Sequence, residues 1–196
     1  MKTAQSFNHD AAVKATTAKS LSKLYFTRVG FSVIWVTLVA IYAAKSPQVA
    51  AILLIIYPAW DVVGTFGDIR INKANGPVTP QYANAIISII TTFAVGVALN
   101  SGVPNALIVF GVWAGLTGII QLVLGLQRRR ELGGQWPMIL SGGQSVIAGI
   151  SFIAFAHKPT MGIANLAGYS AFGAFYYLLA AIRLSKTISI ANTQTI

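Results

Sequence analysis

The sequence predicts an all-α membrane protein of six transmembrane helices, arranged as three helical hairpins with both termini in the cytoplasm. Three observations predict it. Of 196 residues, 55% are hydrophobic and only 9% charged, whereas a soluble domain carries about a quarter charged residues. Six apolar runs reach the roughly 17–25 residues needed to cross a ~30 Å hydrocarbon layer. The basic residues cluster at alternate ends of those runs. Backbone polar groups cannot stay unpaired in lipid, so the runs are helices or strands of a closed barrel. Stretches such as AAILLII and NALIVF lack the polar–apolar alternation of barrel strands.

The first run, Leu24–Ala44, follows a polar segment, 1–23, with no apolar centre. That segment is expected to be a cytoplasmic tail rather than a cleavable signal. The second run, Gln48–Ile69, holds the unusual stretch YPAWDVVGTFGDIR. The third is Ala83–Leu99, the fourth Pro104–Leu126, the fifth Trp136–Ala156 and the sixth Met161–Leu184. Residues 24–185 thus form the membrane domain and 186–196 a second cytoplasmic tail. KSP, NSG and HKP read as tight outer turns. INKANGPVTPQ and QRRRELGGQ are longer cytoplasmic links, with Asn75-Gly76, Pro77 and Pro80 as turn residues.

Orientation follows from the 14 lysines and arginines. Lys2, Lys14, Lys19, Lys23 and Arg28 lie at the first end. Arg70 and Lys73, then Arg128, Arg129 and Arg130, then Arg183 and Lys186 fall on the same face if the chain crosses six times. Only Lys45 and Lys158 remain for the other face, and basic loops stay cytoplasmic. The net charge of +10 is spread over short membrane-flanking segments with no nucleic-acid recognition motif. The expected partners are therefore the lipid bilayer and its anionic head groups, and no nucleic acid.

A weak internal repeat accompanies the hairpins. A shift of 53 residues aligns Tyr57 with Phe110, Pro58 with Gly111 and Trp60 with Trp113. In the fourth run, Gly111, Gly115, Gly118 and Gly125 share one narrow stripe, and small residues let helix backbones approach in lipid. Internal packing is the favoured reading of this stripe, and a homo-oligomer contact is the other. Gly142, Gly143 and Gly149 follow the same logic in the fifth run.

Three consecutive hairpins of this length, with the segments YPAWDVVGTFGDIR and GGQWPMILSGGQSVIAGISFI, resemble the HdeD-like family of small six-helix membrane proteins. The resemblance covers roughly Arg28 to Leu184. It implies a bacterial-type inner membrane, a short-repeat architecture and a role in acid or envelope stress. It implies no catalytic residues.

Two of the four acidic residues lie inside the second run. Asp61 and Asp68 are seven apart, nearly on one helix face and ~10.5 Å apart along the axis, with Gly64 between them. An aspartate near the helix centre costs roughly 2.5–3.5 kcal/mol to insert. Asp68, near the cytoplasmic interface, is expected to form a structural ion pair with Arg28. Asp61 has no base expected at its depth. Pro58 removes a backbone hydrogen bond, so the helix is expected to kink or break there, offering Asp61 a fresh helix N-terminus. Gln121, Ser141 and Gln144, with Ser145 beside them, lie at comparable depth. A cavity lined by Asp61, Gln121, Ser141 and Gln144 is the structural expectation, with an interhelical polar clamp as its competitor.

Other chemistry is scarce. The chain has no cysteine and two histidines, His9 and His157, neither with a neighbour at metal-ligand spacing. No metal site, cofactor or catalytic constellation is expected. Tyr25, Tyr42, Tyr82 and Trp136 read as interfacial rings, and Trp35, Trp60 and Trp113 as packing residues. The expected function is that of a non-enzymatic inner-membrane protein of unassigned biochemistry, acting by association under envelope or acid stress. The alternative is a proton or small-cation conduit using Asp61.

Overall fold

Proline opens four of the helices, at the position where a missing N–H leaves no bond unmade. Pro47, Pro80, Pro104 and Pro137 each stand at the first or second residue of their helix. Ser46 adds a cap before Pro47, its Oγ accepting from the Val49 N–H at 3.3 Å. Gly102 (φ 101°) and Gly133 (φ 64°) turn the chain on either side of the fourth long helix, in backbone geometry that favours glycine.

The computed structural model describes the backbone of residues 4–133 and 135–193, and the side chains of 12–133 and 135–186. The helices are α1 (Ala4–Leu38), which runs on into a π-helical turn at Val39–Ala43, α2 (Pro47–Asn72), α3 (Thr79–Ala98), α4 (Val103–Leu132), α5 (Trp136–Phe155) and α6 (Ile163–Thr193). A short 3₁₀ turn, Leu99–Ser101, follows α3. No strand occurs among the described residues. Each apolar run read from the sequence is a helix. The segment expected as a tail is helical as well, since α1 begins at Ala4 and not at Leu24. Ala18 and Leu21 are buried against Ala180, Ala181 and Leu184 of α6, which explains why the helix extends.

Each helix packs on its neighbours in sequence, and α1 closes on α6, so the six form a ring. The most extensive pairs are α4 with α5, α1 with α6 and α2 with α3. They are not the pairs joined by the tight turns KSP, NSG and HKP, which the three-hairpin reading favours. The glycines explain the first of these pairs. A Cβ on Gly111 would lie 2.7 Å from the Gly149 carbonyl, and one on Gly118 would lie 2.8 Å from that of Gly142. The stripe is thus consumed inside the bundle, except at Gly115, where a Cβ would meet nothing within 4 Å.

The polarity of the ring is inverted relative to a soluble protein. Ile34, Val63, Ile90, Phe93, Ile147 and Phe172 are all more than half exposed. Thr65, Asp68, Gln81, Ser88, Arg128 and Ser141 are buried. Five helices, α1 to α5, are long and apolar enough to cross a membrane. The chain is a multi-pass membrane protein on this surface, because lipid solvates apolar side chains and leaves polar ones to find partners inside. Trp35, Leu53, Leu54, Leu107, Phe110 and Phe152 form an apolar core that fills one end of the ring. The other end is built differently.

Candidate functional site

Polar residues recur at helical spacing on three neighbouring helices, and the ring turns all three stripes inward. On α2 the stripe is Asp61, Gly64, Thr65 and Asp68. On α3 it is Gln81, Asn84 and Ser88. On α4 it runs Trp113, Thr117, Gln121 and Arg128. Residues three and four apart share a helix face, so each stripe presents its polar groups in tiers.

The deeper tier is centred on Asp61. Arg28 Nη1 donates to Asp61 Oδ1 at 2.7 Å. Asn84 Nδ2 donates to Oδ2 at 2.7 Å and the Ser88 hydroxyl at 2.8 Å, while Thr65 Oγ1 stands 3.5 Å away. Ser88 in turn accepts from Trp113 Nε1 at 2.9 Å. Every partner of Asp61 donates, which is the pattern of an acceptor-only carboxylate. Gly64 makes the ion pair reachable, for a Cβ there would lie 2.6 Å from Arg28 Nη2. The guanidinium also lies over the Tyr177 ring, 5.4 Å from its centroid, a cation–π contact that favours a charge held out of water.

The second tier lies a helical heptad along. Asp68 pairs with Arg128 Nη2 and accepts from Asn72 Nδ2 at 2.7 Å. Arg128 Nη1 donates to the Tyr25 hydroxyl at 3.2 Å. The Gln81 amide, with its oxygen turned to Arg128 Nη2 (3.3 Å) and its nitrogen to the Val78 carbonyl (3.3 Å), completes this tier.

Around both tiers lies a cavity of about 110 Å³, to which all six helices contribute. That is room for several waters or one small organic molecule. Its walls are aromatic at the deep end, where Tyr57, Trp113 and Tyr169 meet the apolar core. Tyr57 lies 5.9 Å from Trp113 and 5.6 Å from Phe110, ring centre to ring centre, so Tyr57 touches Phe110, the residue the internal repeat aligns with it. Ser145 and the Tyr169 hydroxyl share a hydrogen bond of 3.0 Å. The cavity extends as far as Arg128, near the end of α4, and Gln135, just before α5.

Of the residues expected to line a cavity, Asp61, Gln121 and Ser141 do so. Gln121 is partly committed, donating from Nε2 to the Met138 carbonyl at 3.2 Å. Gln144 is half-buried and outside the lining, and its neighbour Ser145 takes the place expected of it. The expected Arg28–Asp68 pair is not formed. Arg28 meets Asp61 and Asp68 meets Arg128, because Gly64 lets Arg28 lie across α2 at the deeper carboxylate. Nor does α2 break at Pro58, which is buried within one continuous helix. Asp61 is therefore neutralised by a guanidinium and not by a helix terminus. Tyr25, expected at an interface, is 2% exposed and belongs to the Arg128 tier.

Comparison with known proteins adds no relative: no family model, curated protein or solved structure matches the chain.

Proposed function

We propose that this protein is a carrier for a small polar solute, with the cavity between the two charge tiers as its binding site. One observation supports this reading above the others: a space lined by polar and aromatic side chains from all six helices, inside a bundle whose outer surface is apolar. A clamp that merely fixed helix packing would close its polar groups on one another and leave no such volume. An open pore is not supported, because the apolar core of Trp35, Leu54, Leu107 and Phe110 fills the ring beyond Tyr57 and Trp113. Passage through such a bundle requires the two ends to open alternately, as carriers do. The Asp61 conduit reading is thereby modified. Asp61 holds Arg28 in the wall, and carriage rests on the cavity.

The same proposal places six crossings in a bacterial-type inner membrane, with both termini and the cavity's Arg128 end cytoplasmic. The distribution of basic residues and the HdeD-like resemblance support it. Because the chain has no cysteine, single cysteines report topology without background. Lys45→Cys and Lys158→Cys are expected to react with an impermeant maleimide in intact cells, and Asn75→Cys only after permeabilisation. The reverse pattern would invert the topology.

Carriage is tested by filling the cavity. Gly173 lines it, and a Cβ there would meet nothing within 4 Å, so a side chain at this position starts without a clash and Gly173→Leu is the filling variant. In proteoliposomes offered glycerol, urea, glycine, acetate and methylammonium, wild type is expected to accelerate uptake of at least one, and Gly173→Leu to abolish it. Absence of uptake for every solute would overturn carriage and leave association under envelope or acid stress as the surviving reading.

A further inference from the structure

The carrier reading leaves open what the cavity takes, and three observations narrow it. The first is charge. The two arginines and two aspartates of the wall cancel in pairs, Arg28 with Asp61 and Arg128 with Asp68. A charged guest would either break one of these pairs or leave a net charge in a low-dielectric interior, and both are unfavourable.

The second observation is Gln135. Its residue is 0% exposed, it lines the cavity, and neither Oε1 nor Nε2 has a hydrogen-bond partner among the described residues. Buried amides are nearly always satisfied. A side chain offering an unmade acceptor and an unmade donor on one planar group matches a guest that offers the complement on adjacent atoms. The third is Trp60, whose buried Nε1 also lacks a partner and whose ring lines the same cavity. It stacks on Phe31 at 4.5 Å with 12° between planes, which holds the indole edge in place.

We infer that the cavity binds an uncharged, planar, amide-like solute through the Gln135 side chain, with both ion pairs left intact. This rests on the carrier reading and names the class of its substrate. Urea, guanidinium and nitrate are trigonal planar molecules of four heavy atoms that differ in charge, so they isolate the property at issue. Glycine supplies the zwitterionic case.

Proteoliposome uptake of the four is the measurement. Urea is expected to enter several-fold faster than into protein-free liposomes, with guanidinium, nitrate and glycine at the protein-free rate. Gln135→Leu is expected to return urea to that rate while leaving the melting temperature undiminished, since it removes an unsatisfied amide at nearly constant size. A purely structural Gln135 would show the opposite split, with lower stability and unchanged urea uptake. Entry of glycine or an ion in place of urea overturns the inference and keeps the carrier. If none of the four enters but another solute of the wider panel does, the inference again fails alone. If nothing enters at all, both fall, and the two amide atoms are hydrated by water only.

Discussion

Replacing Asp61 by asparagine is expected to lower the melting temperature in detergent more than removing both charges together. The single change leaves Arg28 buried without its anion, and breaking one side of a buried pair costs about 3–5 kcal/mol. Arg28 side-chain exposure is only 14% and that of Asp61 is 15%, so solvent cannot take over the lost interaction. Asn84 and Ser88 donate to the same carboxylate, and an asparagine returns a single carbonyl oxygen for three donors. In the double variant Arg28→Met with Asp61→Asn, no uncompensated charge remains and much of the stability returns, because apolar replacement of buried pairs is often near neutral. With wild type and the single variant Arg28→Met, these two variants form a double-mutant cycle, and contacting charges couple by about 0.5–3 kcal/mol. Additive losses, with the double variant as unstable as the sum, would show that the two side chains do not meet.

The helices were legible because lipid imposes a rule with few solutions. A long apolar run in lipid has to satisfy its own backbone as a helix, and each of the six runs is helical, five of them in helices long and apolar enough to cross a membrane. Asp61 was legible for the same reason, since an acid in the middle of PAWDVVG is costly unless something answers it. What answered it was not legible. A first helix starting at Leu24 puts Arg28 at the level of Asp68, but α1 starts at Ala4, and a long arginine side chain reaches past its own turn. Glycine at position 64 stands between the acids in the sequence. Its consequence, an open lane across α2 for a guanidinium, depends on which helix lies alongside.

Arg128 was missed for a different reason. In the run Arg128–Arg130, successive residues turn ~100° about the axis, so the three cannot share a face. Arg129 and Arg130 are exposed while Arg128 is buried, so only the two exposed ones act as the topology signals that the run suggests for all three. The clue was the inward stripe of α4, in which Gln121 and Arg128 stand a heptad apart. A similar clue lay in α3, where Gln81, Asn84 and Ser88 interrupt an apolar helix at spacings of three and four. Gln135 had no signal of its own, since a glutamine beside two glycines in a basic loop reads as solvated until packing buries it.

The α4–α5 contact gives the second large effect. Gly149→Ala is expected to destabilise the protein by about 1–3 kcal/mol or more, the range for overpacking a close contact. A Cβ there would lie 2.5 Å from the Gly111 carbonyl oxygen and 2.7 Å from the Gly115 nitrogen. Both are backbone atoms, so no side chain can swing aside and only separation of the helices relieves the clash. Close approach of backbones is itself the attractive contact between helices in lipid, and separating them forfeits it along the whole interface. Gly142→Ala is expected to behave alike, with the Leu122 nitrogen at 2.7 Å and the Gly118 carbonyl at 2.8 Å. Gly115→Ala is the internal control. Its Cβ would meet nothing within 4 Å, and alanine favours a helix over glycine by up to about 1 kcal/mol, so its melting temperature is expected to hold or rise. Melting in detergent, followed by intrinsic tryptophan fluorescence, separates the cases. Gly115→Ala falling as far as Gly149→Ala would mean that the free edge of the stripe is covered by a second copy of the chain, and the stripe would then belong to an oligomer as much as to the ring.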